Sequence, residues 1–274
     1  MSITADQERQ FYDDVYGRFL SAPDHELAFD RPTLLKDLND PRHPSWERRK
    51  LHLRVLAELL RVPVKGLRVL DYGCGTGDWG LMLATEGAQV TLLDLSPKAI
   101  ELGLRRARAS RVADRVRGEA RDASDLSCFH DGEFDLVYAS AALHHTLKYA
   151  GALDELVRVI RPGGRLVMAE TWGNNPALML ARRIRARLQH EAEEQGEEIV
   201  LNDAEVARLR RHFREVHVEP MNLLAMGKRL LRGRFGSAAG RATLRALERA
   251  DTVLLTLAPP LRRYCGEALI TAVR

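Results

Sequence analysis

The chain has 274 residues, 45% hydrophobic and 29% charged, with a formal net charge of +4. That is ordinary for a soluble globular protein and long enough for one large α/β domain with a good core. Its three cysteines, Cys74, Cys128 and Cys265, are far apart with no CxxC pair, which excludes a disulfide framework and a structural zinc, and no apolar run approaches the roughly 20 residues of a membrane span.

The opening MSITADQERQ is polar and shows no signal peptide, so a cytoplasmic protein is expected. QERQFYDDVYGRFLSA then predicts an amphipathic helix with Phe11, Val15 and Phe19 inward. The Pro- and Asp-rich stretch from Pro23 to Pro44 reads as irregular connection. WERRKLHLRVLAELLRV predicts a helix with Leu53, Leu56 and Leu60 on one face, ending before Pro63. Residues 1–45 are accordingly expected to form an N-terminal helical cap on a domain spanning 46–274.

From there strands and helices alternate. Strands are predicted at Arg68–Asp71, Gln89–Leu93, Val116–Glu119, Phe134–Ala139 and Arg165–Glu170, with helices at Gly77–Thr85, Pro97–Ala109 and Ala150–Ile160. This alternation implies right-handed βαβ units and a mostly parallel sheet with helices on both faces. RPGG at 161–164 reads as a turn. Later, NPALMLARRIRARL predicts a helix with Leu180, Ile184 and Leu188 inward, and NDAEVARLRRHF one capped by Asn202 and burying Val206, Leu209 and Phe213. REVHVEP and EALITAV are the sixth and seventh strands. Segments 173–200 and 221–263 stand as helical insertions, the second carrying nine Lys/Arg against two acids and an amphipathic stripe of Leu244, Leu247, Leu254 and Leu257. A lid over an apolar acceptor, an oligomer contact and a peripheral membrane helix are all compatible with it.

The chemistry lies in LRVLDYGCGTGDWGLMLA, residues 67–84. Gly75, Gly77 and Gly80 match the dinucleotide spacing GxGxxG, and Asp94 follows about 20 residues on, where a ribose-binding acid belongs. No Gly-Lys-Ser/Thr follows, which excludes a Walker-type phosphate loop. Asp71 separates the remaining readings: a carboxylate just before the turn repels a diphosphate and attracts a ligand carrying an ammonium and a sulfonium.

With VLDYGCGTG, VTLLDLS, EARDASDL, FDLVYASAALHHTLKY and ELVRVIRPGGRLVMAE in register, residues 46–171 resemble the class I S-adenosylmethionine-dependent methyltransferases, of the small-molecule type. The resemblance implies their fold, a mostly parallel seven-stranded sheet, and S-adenosyl-L-methionine as methyl donor, with S-adenosyl-L-homocysteine as product. It implies that Gly73, Gly75 and Gly77 let the backbone approach the methionine part and that Asp71 orients its ammonium. Asp94 would hold the ribose hydroxyls, Leu95 would pack on adenine, Asp122 and Ala123 would meet the adenine edge, and Ala139 would lie near the methionine end.

For the reaction, His145, just after the fourth strand, and Glu170, ending the fifth, are the catalytic candidates. Each could take a proton from an oxygen or carbon acceptor. Tyr12, Tyr16, His144 and Trp172 are candidate acceptor contacts. No metal is expected. The expected acceptor is small and apolar or lipid-like, with any anionic group near the arginines, and a homo-oligomer is compatible. An RNA methyltransferase is the competing enzyme, disfavoured because the basic segment has one aromatic residue, Phe235, for base stacking, and because ASAALHH stands where base methylation would place Asn/Asp-Pro-Pro-Tyr/Phe. An NAD-dependent oxidoreductase is the third reading.

Overall fold

The computed structural model describes residues 5–189, 200–231 and 233–274. Seven strands form one sheet in the order β3-β2-β1-β4-β5-β7-β6: β1 Arg68–Tyr72, β2 Gln89–Asp94, β3 Val116–Ala120, β4 Phe134–Ser140, β5 Ile160–Thr171, β6 Glu215–Met221 and β7 Glu267–Val273. The first five are parallel, and β7 runs antiparallel between β5 and β6. Strands buried on both faces must be apolar throughout, which is why VLDY, VTLLD and FDLVYAS carry so few charges. RPGG is not a separate turn: β5 already pairs at Ile160 with Phe134, and the register shifts before Leu136 absorbs the slack.

Helices α1 Ala5–Gly17, α2 Asp24–Leu27, α3 Arg31–Asn39 and α4 Arg49–Leu59 precede the sheet. The stretch read as irregular connection therefore contains α3, which starts where Asp30 caps the Thr33 amide at 2.8 Å and buries Leu34 and Leu38. Two inward faces are rotated from the sequence reading. Phe11 and Phe19 are 47% and 49% exposed, and Leu53 of α4 is 40% exposed while Leu51, Val55, Leu56 and Leu59 are buried. The apolar residues of these short helices satisfy more than one spacing, and the neighbours decide which is used.

The crossovers are α5 Asp78–Thr85, α6 Pro97–Ala109, the short α7 Leu143–Thr146 and α8 Ala152–Val159. They are followed by α9 Pro176–Gln189 and α10 Asp203–His212. Asn202 caps α10 through the amides of Ala204 and Glu205, and Val206, Leu209 and Phe213 are buried as their spacing predicts. On α9 the expected inward residues Leu180 and Ile184 are 58% and 48% exposed, and the Leu188 side chain lies outside the described residues, as does segment 190–199 of the first insertion. Between β6 and β7 run a 3-10 stretch, Leu224–Leu231, and α11 Ala238–Leu257. Leu244 is buried in a cluster with Trp46 and Phe235, Leu247 packs against it, but Leu257 is 79% exposed.

Thr171, Glu267 and Met221 are opposite one another in adjacent strands. Both insertions therefore grow from the edge where the parallel strands have their carboxyl ends, which is where open α/β sheets bind ligands.

Candidate functional site

A cavity of about 250 Å³ opens at that edge, over the ends of β1, β2 and β4. The loop after β1 forms one wall. Gly73, Gly75 and Gly77 have φ of +67°, +53° and +77°, a region a Cβ strains against. A Cβ at Gly73 would lie 2.5 Å from the Ala142 Cβ, and one at Gly75 would lie 2.9 Å from the Tyr16 hydroxyl. Two ties fix the loop. The Gly75 amide donates to Asp94 Oδ2 at 2.8 Å, and Arg106 donates to both Thr76 O and Asp78 Oδ1 at 2.5 Å.

Of the residues singled out in the sequence, Gly73, Asp94, Leu95, Asp122, Ala123, Tyr12, Tyr16 and His145 line this cavity. Asp94 ends β2 with its other oxygen on the Ser96 amide at 3.0 Å, and burial raises its pKa. Asp122 is held by the Ser124 amide at 2.8 Å. Both carboxylates keep lone pairs for hydroxyl or amino donors. His145 stands with Nδ1 3.1 Å from Glu8 Oε1, and the Tyr12 ring meets its edge.

Others stand apart from it. Gly75 and Gly77 shape the loop without facing the space, and Ala139 is fully buried while the next three residues, Ser140 to Ala142, form the wall. Asp71 is also behind the loop. Its Oδ2 accepts from the Gly80 amide at 2.9 Å, and burial pushes its pKa up to about 7. It anchors the first turn of α5 and does not line the cavity. Glu170 is fully buried and its oxygens are engaged: Oε1 accepts from the Ala142 and Leu143 amides at 3.1 Å each, and Oε2 lies 2.8 Å from His144 Nδ1. It holds in place a segment whose Ala141 has φ +52°, a strained value for a residue with a side chain. Trp172 is buried, with its indole donating to Arg263 O at 3.0 Å.

Sequence reading missed Glu8, Tyr149 and Thr146. Glu8, Tyr12 and Tyr16 recur at four-residue spacing on α1, a pattern that was visible but masked by the neighbouring phenylalanines. Helix α1 is seated by Asp13, whose Oδ1 accepts from Ser96 Oγ at 2.5 Å and the Lys98 amide at 3.2 Å. Tyr72, read as packing, donates to Ala123 O at 2.7 Å beside Thr146 Oγ1 and also reaches the cavity.

The charge of the wall is distinctive. Glu8, Asp94 and Asp122 line it, with His145, and no lysine or arginine does so among the described residues. The negative potential that Asp71 was expected to supply comes from these three. Such a wall favours a ligand bearing an ammonium or sulfonium and disfavours a diphosphate.

Residues 69–164 match the model of the methyltransferase domain family. The chain is 40% identical over 157 residues to a demethylmenaquinone methyltransferase of Clavibacter sepedonicus, covering 57% of this chain and 58% of that one. It spans about half the length of the curated relatives it matches. Among solved structures, the [4+2]-cyclase SpnF aligns at TM-score 0.59 and 23% identity over 100% of this chain and 97% of that one. The geranyl diphosphate C-methyltransferase of Streptomyces coelicolor A3(2), in complex with Mg2+, geranyl diphosphate and S-adenosyl-L-homocysteine, aligns at 0.58 and 19% over all of both chains. These two likenesses concern the fold. Residues 69–164 are thus similar to a methyltransferase domain, and the two structural likenesses agree with the fold that such domains share.

Proposed function

We propose that the protein transfers a methyl group from S-adenosyl-L-methionine to a small, neutral, apolar acceptor, at oxygen or carbon. The acid-lined, lysine- and arginine-free cavity beside the glycine loop carries this reading. Asp94 and Leu95 would hold the ribose and adenine, Asp122 with the Ala123 amide the adenine edge, and Gly73 with Ser140 the methionine part. When bound, the donor supplies a methyl already activated on a sulfonium, open to in-line displacement. The protein's task is then to hold the acceptor, exclude water and, where needed, accept one proton.

Helix α1 lends the cavity wall Tyr12 and Tyr16, whose rings stack at 5.8 Å. With Nδ1 turned to Glu8, the His145 ring keeps Nε2 to accept the acceptor's proton. Glu8 fixes that tautomer and is a positioning residue. The lining tyrosines and alanines suit an aromatic or isoprenoid acceptor, in keeping with a relative named for demethylmenaquinone. A polyanionic acceptor such as RNA would meet three carboxylates here, which disfavours the nucleic-acid reading.

Calorimetry tests the proposal. The wild type should bind S-adenosyl-L-homocysteine, and Asp94→Ala should weaken it by about tenfold or more, as loss of a charge-assisted hydrogen bond predicts. Tight NADH binding in its place would overturn the reading in favour of an oxidoreductase.

A further inference from the structure

Helices α4 and α11 lie side by side and bound a continuous trough whose parts measure about 340 and 470 Å³, with Lys50, Leu53 and Thr252 shared by both. Gly240, Leu244, Asp251 and Leu255 of α11 are buried. On the opposite side of the helix, Arg245, Arg249, Val253 and Leu257 recur every fourth residue. Val253 is 58% exposed and Leu257 79%, and across the trough Leu53 is 40% exposed. The leucines expected inward at 53 and 257 are thus both exposed, the first lining the trough and the second on the outer stripe of α11.

Its charge is one-sided. Arg49 pairs with Glu248 at 2.5 Å and Arg54 with Glu219 at 2.7 Å, which uses the acids lining the trough. Asp251 is buried and accepts from the amides of Leu223, Leu224 and Ala225. Lys50, Arg245, Arg249 and Arg262 have no ion-pair partner among the described residues. Uncompensated cations therefore stand beside exposed aliphatic side chains, in the trough and along the outer stripe of α11.

We propose that this α4–α11 face docks on an anionic lipid surface. Aliphatic residues entering the headgroup boundary, with cations held at the phosphates, is the arrangement an interfacial helix uses. No helix among the described residues is long and apolar enough to cross a membrane, so the contact is peripheral. A second copy of the chain packed about a twofold axis would bring the same cations together, and a nucleic acid would find no aromatic ring among the trough residues for stacking. The inference is independent of methyl transfer.

The test is co-sedimentation of the full chain with large unilamellar vesicles of phosphatidylglycerol or of phosphatidylcholine. Partition onto phosphatidylglycerol should be about tenfold stronger or more, and should fall as salt shortens the screening length. Arg245→Glu with Arg249→Glu should lower it by about tenfold or more, and Leu257→Asp should lower it as well, with S-adenosyl-L-homocysteine binding retained as the check on folding. Equal partition onto both vesicles, no partition, or indifference to these substitutions would overturn the proposal. A dimer lost in Leu257→Asp, without vesicle binding, would assign the face to a second copy instead.

Discussion

Two carboxylate–imidazole pairs occur one residue apart, and they differ in what surrounds the carboxylate. In Glu170–His144 the acid is fully buried on β5, and both oxygens are engaged by two backbone amides and the ring at 2.8 Å. In Glu8–His145 the acid rides on α1, both side chains remain about a fifth exposed, and both line the cavity. A carboxylate whose lone pairs are spent on amides fixes backbone. One that touches a single imidazole at a ligand's wall can tune chemistry. On the proposed function, the two pairs should therefore leave opposite signatures when broken, stability for the first and turnover for the second.

The comparison is broken most directly at Glu170. Glu170→Ala leaves two amides and an imidazole without their buried acceptor, at a cost of about 3–5 kcal/mol. For a chain of this size that is a fall in Tm on the order of 10 °C. Calorimetric scanning checks it, and an unchanged Tm would remove the structural role assigned here. At His145 the effect should move from stability to rate. His145→Ala should leave Tm within about 2 °C yet slow methylation of an oxygen acceptor by about 10²-fold, the usual contribution of a general base. Discontinuous assay of S-adenosyl-L-homocysteine release reads it. Unchanged turnover would return His145 to a packing role.

A third carboxylate sharpens the contrast. Burial raises Asp71 to about 7, well above its unfolded value, so the native state keeps a proton that the unfolded chain has released. The stability associated with this group is complete below about pH 4 and is lost as pH rises towards 7. Asp71→Asn keeps an acceptor for the Gly80 amide and removes that dependence. It should match the wild type near pH 4 and exceed it at pH 8 on the order of 1–2 kcal/mol, once the weaker amide acceptor is allowed for. Urea unfolding at the two pH values measures the difference. A variant less stable at pH 8 would mean that the charged form is held by something beyond the Gly80 amide.

Much of this was legible in the sequence, for physical reasons. The strands buried on both faces have one way to be satisfied, so VTLLD and FDLVYAS were readable to within a residue or two. The turn glycines announced a backbone that no Cβ could follow, and Asn202 announced its helix. Roles that depend on which way a side chain turns were not readable. Asp71 and Glu170 stand at strand ends facing the site in sequence, yet one turns back to α5 and the other sideways to the 141–144 segment. The rotated face of α1 hid Glu8 because Phe11, and Phe19 just beyond the helix, advertised a burial that the surrounding helices do not provide. Short amphipathic helices are placed by their partners, and partners are not written in the local pattern.

The smallest effect concerns the tie between α1 and the site. The hydrogen bond from His145 lowers the Glu8 pKa, with burial opposing it and the charges of His145 and Lys148 adding to it. A carboxylate lowered in the folded state lends stability above its unfolded pKa of about 4.3, and loses it as pH falls through the folded value. Glu8→Gln keeps the shape and removes that charge. It should cost about 0.5–1 kcal/mol at pH 6, discounted for solvent screening, and less at pH 3. Tryptophan fluorescence during denaturation at pH 6 and pH 3 reads the variant. If the Glu8→Gln loss were equally large at pH 3, the bond to His145 would be a neutral packing contact, and the distinction between the two pairs would rest on position alone.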